Sequence, residues 1–317
     1  MDERIIIIGS NGQIGTELAI ALRAKFGTEQ VITSDIRRPS LPHADGPFAI
    51  ADVLDRKSLH VLFKKYCPTQ IYLLAALLSA TGEKHPRQAW DLNINGLLNV
   101  LDLSIEYNVK RVFWPSSIAV FGPHSPKKNT PQYSVMDPNT AYGISKLAGE
   151  RICEYYFNRY GLDIRSIRYP GVISWKTVPG GGTTDYAVHI FHEALKSNHY
   201  RCFLGPNTSL PMLYMDDAIR GTLALMDAPP ETLTIRSSYN LTGVSFTPAM
   251  LADEIRKHLP EFVITYDTND PRQAIADTWP NSINDAEARQ DWGWNPKFDL
   301  KDITTDMLVN VKEKIQI

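Results

Sequence analysis

The chain has 317 residues, with 33 Lys plus Arg against 35 Asp plus Glu, so its formal net charge is −2. That balance excludes the basic footprint of a nucleic-acid binder and a polybasic membrane patch, and the longest apolar run, Ile71 to Leu78, is too short to cross a bilayer. Three distant cysteines (Cys67, Cys153, Cys202) and eight scattered histidines offer neither a disulfide framework nor metal-ligand spacing, which implies reduced thiols, a cytoplasmic location and no metal.

Taken in chain order, apolar runs alternate with amphipathic stretches. Ile5–Ile8 reads as a buried strand, reached directly from the N-terminus without a charged leader. Gln13–Lys25 reads as a helix with Leu18, Ala21 and Leu22 on one face. Val31–Ser34 is the second strand, and a third ends before Asp52. Asp55–Tyr66 is helical and Gln70–Leu74 a strand. A long helix is expected over much of His85–Tyr107, then a strand at Arg111–Pro115, a helix at Asn139–Tyr160 and a strand at Asp163–Arg168. Short strands alternating with helices mean right-handed crossovers and an α/β fold with a doubly wound parallel sheet.

After Pro170 the rhythm breaks. Gly180-Gly181-Gly182 precedes a helix from about Asp185 to Lys196, and Thr247-Pro248 marks a capped helix start. Residues 1–170 are expected to form one domain and 171–317 mainly a smaller C-terminal α/β lobe. The two should be interleaved, because Met212–Met215 and Asn240–Leu241 are placed to return to the main sheet.

Where the first strand meets the first helix stands Gly9-Ser10-Asn11-Gly12-Gln13-Ile14-Gly15. Gly9 suits a sharp turn, Gly12 a close backbone approach to a pyrophosphate, and Gly15 tight helix–strand packing. Asp35 follows at the end of the second strand, where a carboxylate can grip both ribose hydroxyls and repel a 2′-phosphate. NAD is therefore the expected cofactor, although Arg37 and Arg38 stand close enough to hold such a phosphate. Asp52-Val53 is placed to meet the adenine, and Leu74-Ala75-Ala76 to leave room for the cofactor. Both stretches read equally well as ordinary core.

Tyr142 and Lys146 lie one helical turn apart on one face. A phenol has a pKa of about 10 and needs a neighbouring cation to serve as a base near neutrality. Ser116-Ser117 ends the fifth strand, on the side of a doubly wound sheet where ligands bind. The plain alternative is a solvated lysine beside a packed tyrosine.

Along nearly its whole length the chain resembles the extended short-chain dehydrogenase/reductase family. The matching pieces are the glycine turn, Asp35, Asp52, Leu74–Ala76, Asn93-Ile94-Asn95-Gly96, Ser116-Ser117 through Gly122, Tyr142 to Lys146, Arg168–Gly171 and Trp292–Pro296. The resemblance implies that Ser117 is the catalytic hydroxyl, Tyr142 the base, and Lys146 the group that binds nicotinamide ribose. It implies that Asn93, or its neighbour Asn95, distorts a helix beside the cofactor, and that Tyr169-Pro170-Gly171-Val172 flanks the nicotinamide. It also suggests a homodimer through the two long helices, with Leu97, Leu101, Ile152 and Tyr155 among the apolar residues.

Within that family Gly12–Gly15, Leu77–Glu83 and Trp175–Tyr186 are similar to the branch that oxidises the 3-hydroxyl of threonine. That resemblance implies a small zwitterionic substrate touched by Ser79, Ser116, Ser117, Tyr142, Thr184 and Asp185. Asp185 reads equally as a helix-capping acid. Trp279-Pro280 reads as the wall of a small pocket or as surface packing, and the glycine run as a hinge or a plain loop. A sugar-nucleotide epimerase or dehydratase and a non-catalytic dinucleotide sensor are the alternatives. Ile118-Ala119 after Ser117 argues against dehydration, which wants an acid there, and the Ser–Tyr–Lys set argues against a mere sensor.

Overall fold

A computed structural model of the chain describes residues 3–39, 45–177 and 180–315. Its first strand, β1 (Ile5–Ile8), is four isoleucines, all buried. β-Branched residues with no polar face belong at the centre of a sheet covered on both sides. There β1 lies, between β2 (Val31–Asp35) and the fourth strand. The following strands are β3 (Phe48–Ile50), β4 (Gln70–Leu73), β5 (Arg111–Phe113), β6 (Ser116–Ser117) and β7 (Asp163–Arg165). All but β6 form one parallel sheet in the order β3-β2-β1-β4-β5-β7. The chain winds outward from β1 to β3 and then returns to the other side of β1. The switch point therefore lies at the carboxyl ends of β1 and β4, where a crevice opens.

The helices of this half are α1 (Gln13–Phe26), α2 (Arg56–Tyr66), α3 (Ser79–Lys84), α4 (Pro86–Trp90), α5 (Gly96–Glu106) and α6 (Ala141–Tyr160). Side chains set two of their starts: Asp55 accepts from the Lys57 N–H and Thr140 from the Gly143 N–H. Gly161, in left-handed geometry, ends α6.

Two expectations need correction. The helix expected over His85–Tyr107 is α4 and α5 joined by a π-helical turn, Asp91–Asn95. The wider turn carries Asn93, whose amide bonds both the N–H and the carbonyl of Leu77. The strand expected over Asp163–Arg168 splits after Arg165. Its continuation, β8 (Ile167–Tyr169), pairs with β6 rather than β5. Pro115, without an N–H to give to a ladder, sits where β5 gives way to β6.

The second half holds β9 (Gly171–Ile173), α7 (Tyr186–Ser197), β10 (His199–Cys202), β11 (Leu210–Tyr214), α8 (Met215–Asp227), β12 (Tyr239–Asn240), β13 (Val244–Phe246), α9 (Pro248–Arg256), β14 (Val263–Tyr266), α10 (Pro271–Ala276), α11 (Ala286–Trp292) and α12 (Leu300–Ile315). Met212–Tyr214 and Asn240 do return, though to β9 and β8 in small three-stranded sheets, not to the six-stranded sheet. Helix α8 nonetheless covers the main sheet beside α1: Met215, Ala218 and Ile219 share a core with Leu18 and Leu22. A separate core of α7, α9 and α12, with Phe191, Leu251, Ile255 and Met307, underlies the second lobe. Among the described residues no helix is long and apolar enough to cross a membrane.

Candidate active site

The glycine turn occupies the switch point. Gly9 has φ +82°, and a Cβ there would lie 2.5 Å from the Ala75 nitrogen. A Cβ at Gly15 would lie 2.6 Å from the Gly9 carbonyl. Both glycines are therefore required by the protein's own packing. The turn closes with Gly9 and Ser10 donating to the Ser34 carbonyl. Asp35 stands beside it, its carboxylate accepting from the N–H groups of Asn11 (3.0 Å) and Ile36 (2.8 Å). Two buried polar atoms of the turn, Ser10 Oγ and Gln13 Nε2, have no partner among the described residues. A glycine cradle, unpartnered donors at a helix start and an anchored carboxylate fit the diphosphate and ribose of a dinucleotide.

From this turn a cavity of about 250 Å³ runs across the sheet ends. Gly9, Gly12, Gln13, Ile14, Gly15, Leu74 and Ala76 line its first part. Ser116, Ser117, Tyr142, Lys146, Tyr169 and Pro170 line the middle. Ser79, Thr184, Asp185 and Trp279 close the far end. Asp35, Asp52, Val53, Ala75 and Asn93 are not among its lining residues. Asp52 binds its own turn through Leu54 N and Ser58. Val53 packs on Gly96 and receives Asn99 on its carbonyl. Ala75 backs Gly9. Asn93 sits behind α6, donating to Ser145 Oγ at 3.0 Å while Ser145 donates to the Tyr142 carbonyl at 2.7 Å.

Tyr142 and Lys146 share the inner face of α6 as their spacing requires. Among the protein's own groups, burial pushes the Tyr142 phenol up to about 12, offset in part by its hydrogen bond with Ser117. Burial pushes the Lys146 ammonium down to about 7, opposed by the nearby Cys153 and Glu150. Desolvation disfavours both charges and outweighs the pairing. Lys146 Nζ donates to the Pro115 carbonyl at 2.7 Å and lies 5.7 Å from the Tyr142 ring centre.

The lowered lysine has a stability consequence. Below about pH 7 both the folded and unfolded chains carry this proton, and folding bears the full desolvation cost. As pH rises toward the ordinary 10.5, only the unfolded chain holds the proton and the folded state gains. Lys146→Met should therefore melt highest relative to the parent below pH 7, with the difference shrinking as pH rises through that window.

Ser116, Ser117 and Asp185 each bond to groups of the protein itself. Ser116 reaches the cavity wall, and its Oγ donates to buried Glu150 at 2.7 Å. Ser117 Oγ accepts from Ala119 N and faces Tyr142. Asp185 precedes α7 without capping it; its Oδ2 accepts from Gly181 N (2.9 Å) and Gly182 N (2.7 Å). Burial raises its carboxyl, while those N–H groups, His189 and Arg272 pull it back. Of the expected motif Trp175–Tyr186, Val178 and Pro179 lie outside the described residues.

Sequence reasoning missed Leu78, Pro115, Ile118 and Thr183 as lining residues. Thr183 had a signal, standing beside Thr184, and its Oγ1 meets Ser79 Oγ at 3.3 Å. Glu150 also had one: it is one turn beyond Lys146 and two beyond Tyr142, on their buried face.

A parallel sheet in this order, a glycine turn at its switch point and a Ser–Tyr–Lys wall beside it are the parts of a dinucleotide-dependent oxidoreductase. The NAD dependent epimerase/dehydratase family model matches residues 5–241, and the chain belongs to that family, within the extended short-chain dehydrogenase/reductases. Its relatives there include the L-threonine 3-dehydrogenases. The mitochondrial L-threonine 3-dehydrogenase of Sus scrofa is 50% identical over 307 residues, covering 96% of this chain and 82% of that protein. The holo structure of a GalE-like L-threonine dehydrogenase from Cupriavidus necator is 53% identical with a TM-score of 0.94, covering 97% and 99% of the two chains. The apo structure of a monomeric L-threonine 3-dehydrogenase from a metagenome is 49% identical, also at 0.94, covering 98% and 99%.

Proposed function

We propose that the chain uses NAD to oxidise the 3-hydroxyl of L-threonine to 2-amino-3-oxobutyrate. The observation that carries this reading is the meeting of Ser117, Tyr142 and Lys146 in one cavity, with the glycine turn at one end and Ser79, Thr184 and Asp185 at the other. The near-full-length likeness to L-threonine 3-dehydrogenases supports the substrate.

The glycine turn holds the diphosphate and Asp35 the adenine ribose, with Asp52 and Val53 toward the adenine. Tyr142, Lys146, Tyr169 and Pro170 hold the nicotinamide end, and Leu74 and Ala76 leave it room. A bound oxidised nicotinamide supplies the hydride acceptor. Ser117 holds the substrate oxygen by a hydrogen bond, and Tyr142, ionised, takes its proton. Lys146 favours that ionised form. Ser79, Thr184 and backbone N–H groups bind the substrate carboxylate, and Asp185 meets its ammonium. Leu78, Ile118, Val172 and Trp279 give the methyl group an apolar wall. The product, a β-keto acid, can lose CO₂ unaided.

Purified protein with NAD and threonine should generate NADH. Conversion of UDP-sugars without threonine turnover overturns the reading, as does cofactor binding with neither activity. Asp35→Ser should weaken NAD binding about 10- to 100-fold by calorimetry, because a charged acceptor for ribose hydroxyls is lost. Binding of NADP should weaken far less.

Residues 1–170 are read as the cofactor domain and 171–317 as mainly the substrate lobe, in a cytoplasmic protein. A homodimer is proposed through α4 to α6. Leu97 and Leu101 are core residues, so the contact falls to exposed Trp90, Ile144 and Tyr155 with half-buried Ile152. Light scattering decides between a dimer and the monomeric state described for the metagenome relative.

A further inference from the structure

One carboxylate touches every element that carries the chemistry. Glu150 is fully buried on α6, on the same face as Tyr142 and Lys146. Its Oε1 accepts from Ser116 Oγ at 2.7 Å and from Arg168 Nε at 2.8 Å. Its Oε2 accepts from Arg168 Nη2 at 2.8 Å. Ser116 is the residue before Ser117. Arg168 is the residue before Tyr169-Pro170, and it is itself 1% exposed. The other guanidinium nitrogen, Nη1, donates to the Gln132 carbonyl and to Asn240 Oδ1, each at 3.0 Å. Each of the three guanidinium nitrogens thus has a partner, which fixes the group's plane.

A buried ion pair is a poor stabiliser against an apolar pair of similar volume, since desolvation of both charges offsets their attraction. What this one supplies is geometry. A bidentate fork fixes distance and plane between α6 and β8, and the Ser116 hydroxyl ties β6 to the same oxygen that takes the Arg168 Nε–H. The helix and two strands so joined, α6, β6 and β8, are those bearing Tyr142, Ser117 and Tyr169, with Pro170 next in the chain.

We propose that Glu150 is a positioning residue for the oxidation, setting the Ser117 hydroxyl, the Tyr142 phenol and the Tyr169-Pro170 wall in mutual register through Ser116 and Arg168. This rests on the function proposed above for the same site. It also assigns Ser116 a role away from the substrate: its hydroxyl serves Glu150.

The decisive variants are Ser116→Ala, Ser116→Thr and Glu150→Gln. Ser116→Ala should lower kcat about tenfold while KM for threonine and for NAD stays within about twofold, because a small misplacement of reacting groups costs rate and not ground-state contact. Ser116→Thr keeps the donor and should recover most of that loss. Glu150→Gln should lower kcat about 100-fold. In protein without added cofactor, amide exchange should quicken in peptides covering 115–120 and 141–150 and stay unchanged across the glycine turn 9–15. An unchanged kcat in Ser116→Ala overturns the proposal. So does a raised KM for threonine at unchanged kcat, which places the hydroxyl on the substrate, and so does unaltered exchange. Removing one hydroxyl leaves the fold intact, so the outcome stands even where Glu150→Gln fails to accumulate. A parent protein inert toward threonine refutes the proposed function alone; the exchange measurement still decides the anchoring.

Discussion

Replacing Tyr142 with phenylalanine is expected to lower kcat for threonine by about 10²- to 10⁴-fold, the range for loss of a positioned general base. The melting temperature should barely change. The ring stays, so no cavity forms, and the hydroxyl's hydrogen bond with Ser117, worth about 1 kcal/mol, is lost. Ser117 retains its bond from Ala119 N. The pH dependence follows from the same burial. Desolvation holds the phenol protonated, up to about 12, so the reactive form gains as pH rises. Threonine oxidation by the parent should therefore climb from neutral into alkaline pH, and the residual rate of Tyr142→Phe should lack that climb. A phenylalanine variant that is folded and fully active rules out the tyrosine as base.

Much of this site could be read from residue order because its signals are local. Four isoleucines make a central strand in any context that covers both faces. A tyrosine and a lysine four apart on a helix share a face whatever packs on it. Thr140 before α6 and Thr247 before α9 cap through bonds only three residues long. What stayed hidden depends on partners distant in sequence. The split after Arg165 arises where the strand changes neighbours, from β5 to the strand beyond Pro115. The π-turn at Asn93, implied by the family resemblance and not by residue order, matches a bond to Leu77, sixteen residues away. Ser116 and Ser117 look alike as neighbours, but strand alternation sends one hydroxyl into the core toward Glu150 and the other toward Tyr142. Leu97 and Leu101 could not be divided between core and surface without knowing how closely α5 lies on the sheet. Local spacing gives the pairing of phenol and lysine, whereas depth of burial, invisible in the sequence, opposes the charge of both.

The three glycines of the cofactor turn make a sharper division possible. At Gly15 a methyl group would press on the backbone of Gly9 and Ser10, with contacts of 2.6 to 2.8 Å. Backbone at such range cannot yield without moving α1 off β1, so Gly15→Ala should destabilise the fold itself, by about 1–3 kcal/mol as overpacking does. At Gly12 the dihedrals, φ −71° and ψ 170°, suit alanine, and among the described residues beyond its chain neighbours a Cβ would come within 4 Å of the Gly9 carbonyl alone, at 3.5 Å. Nothing in the protein asks for glycine there. The cavity does, since Gly12 lines it where the diphosphate is read to lie. Gly12→Ala should therefore melt with the parent and yet bind NAD about 10² times more weakly, measured by calorimetry, because bulk at the cradle displaces the phosphates from the α1 N–H groups. Equal NAD affinity in Gly12→Ala would mean that the diphosphate does not approach this turn. The contrast with Gly15→Ala separates a glycine kept for the fold from one kept for its ligand.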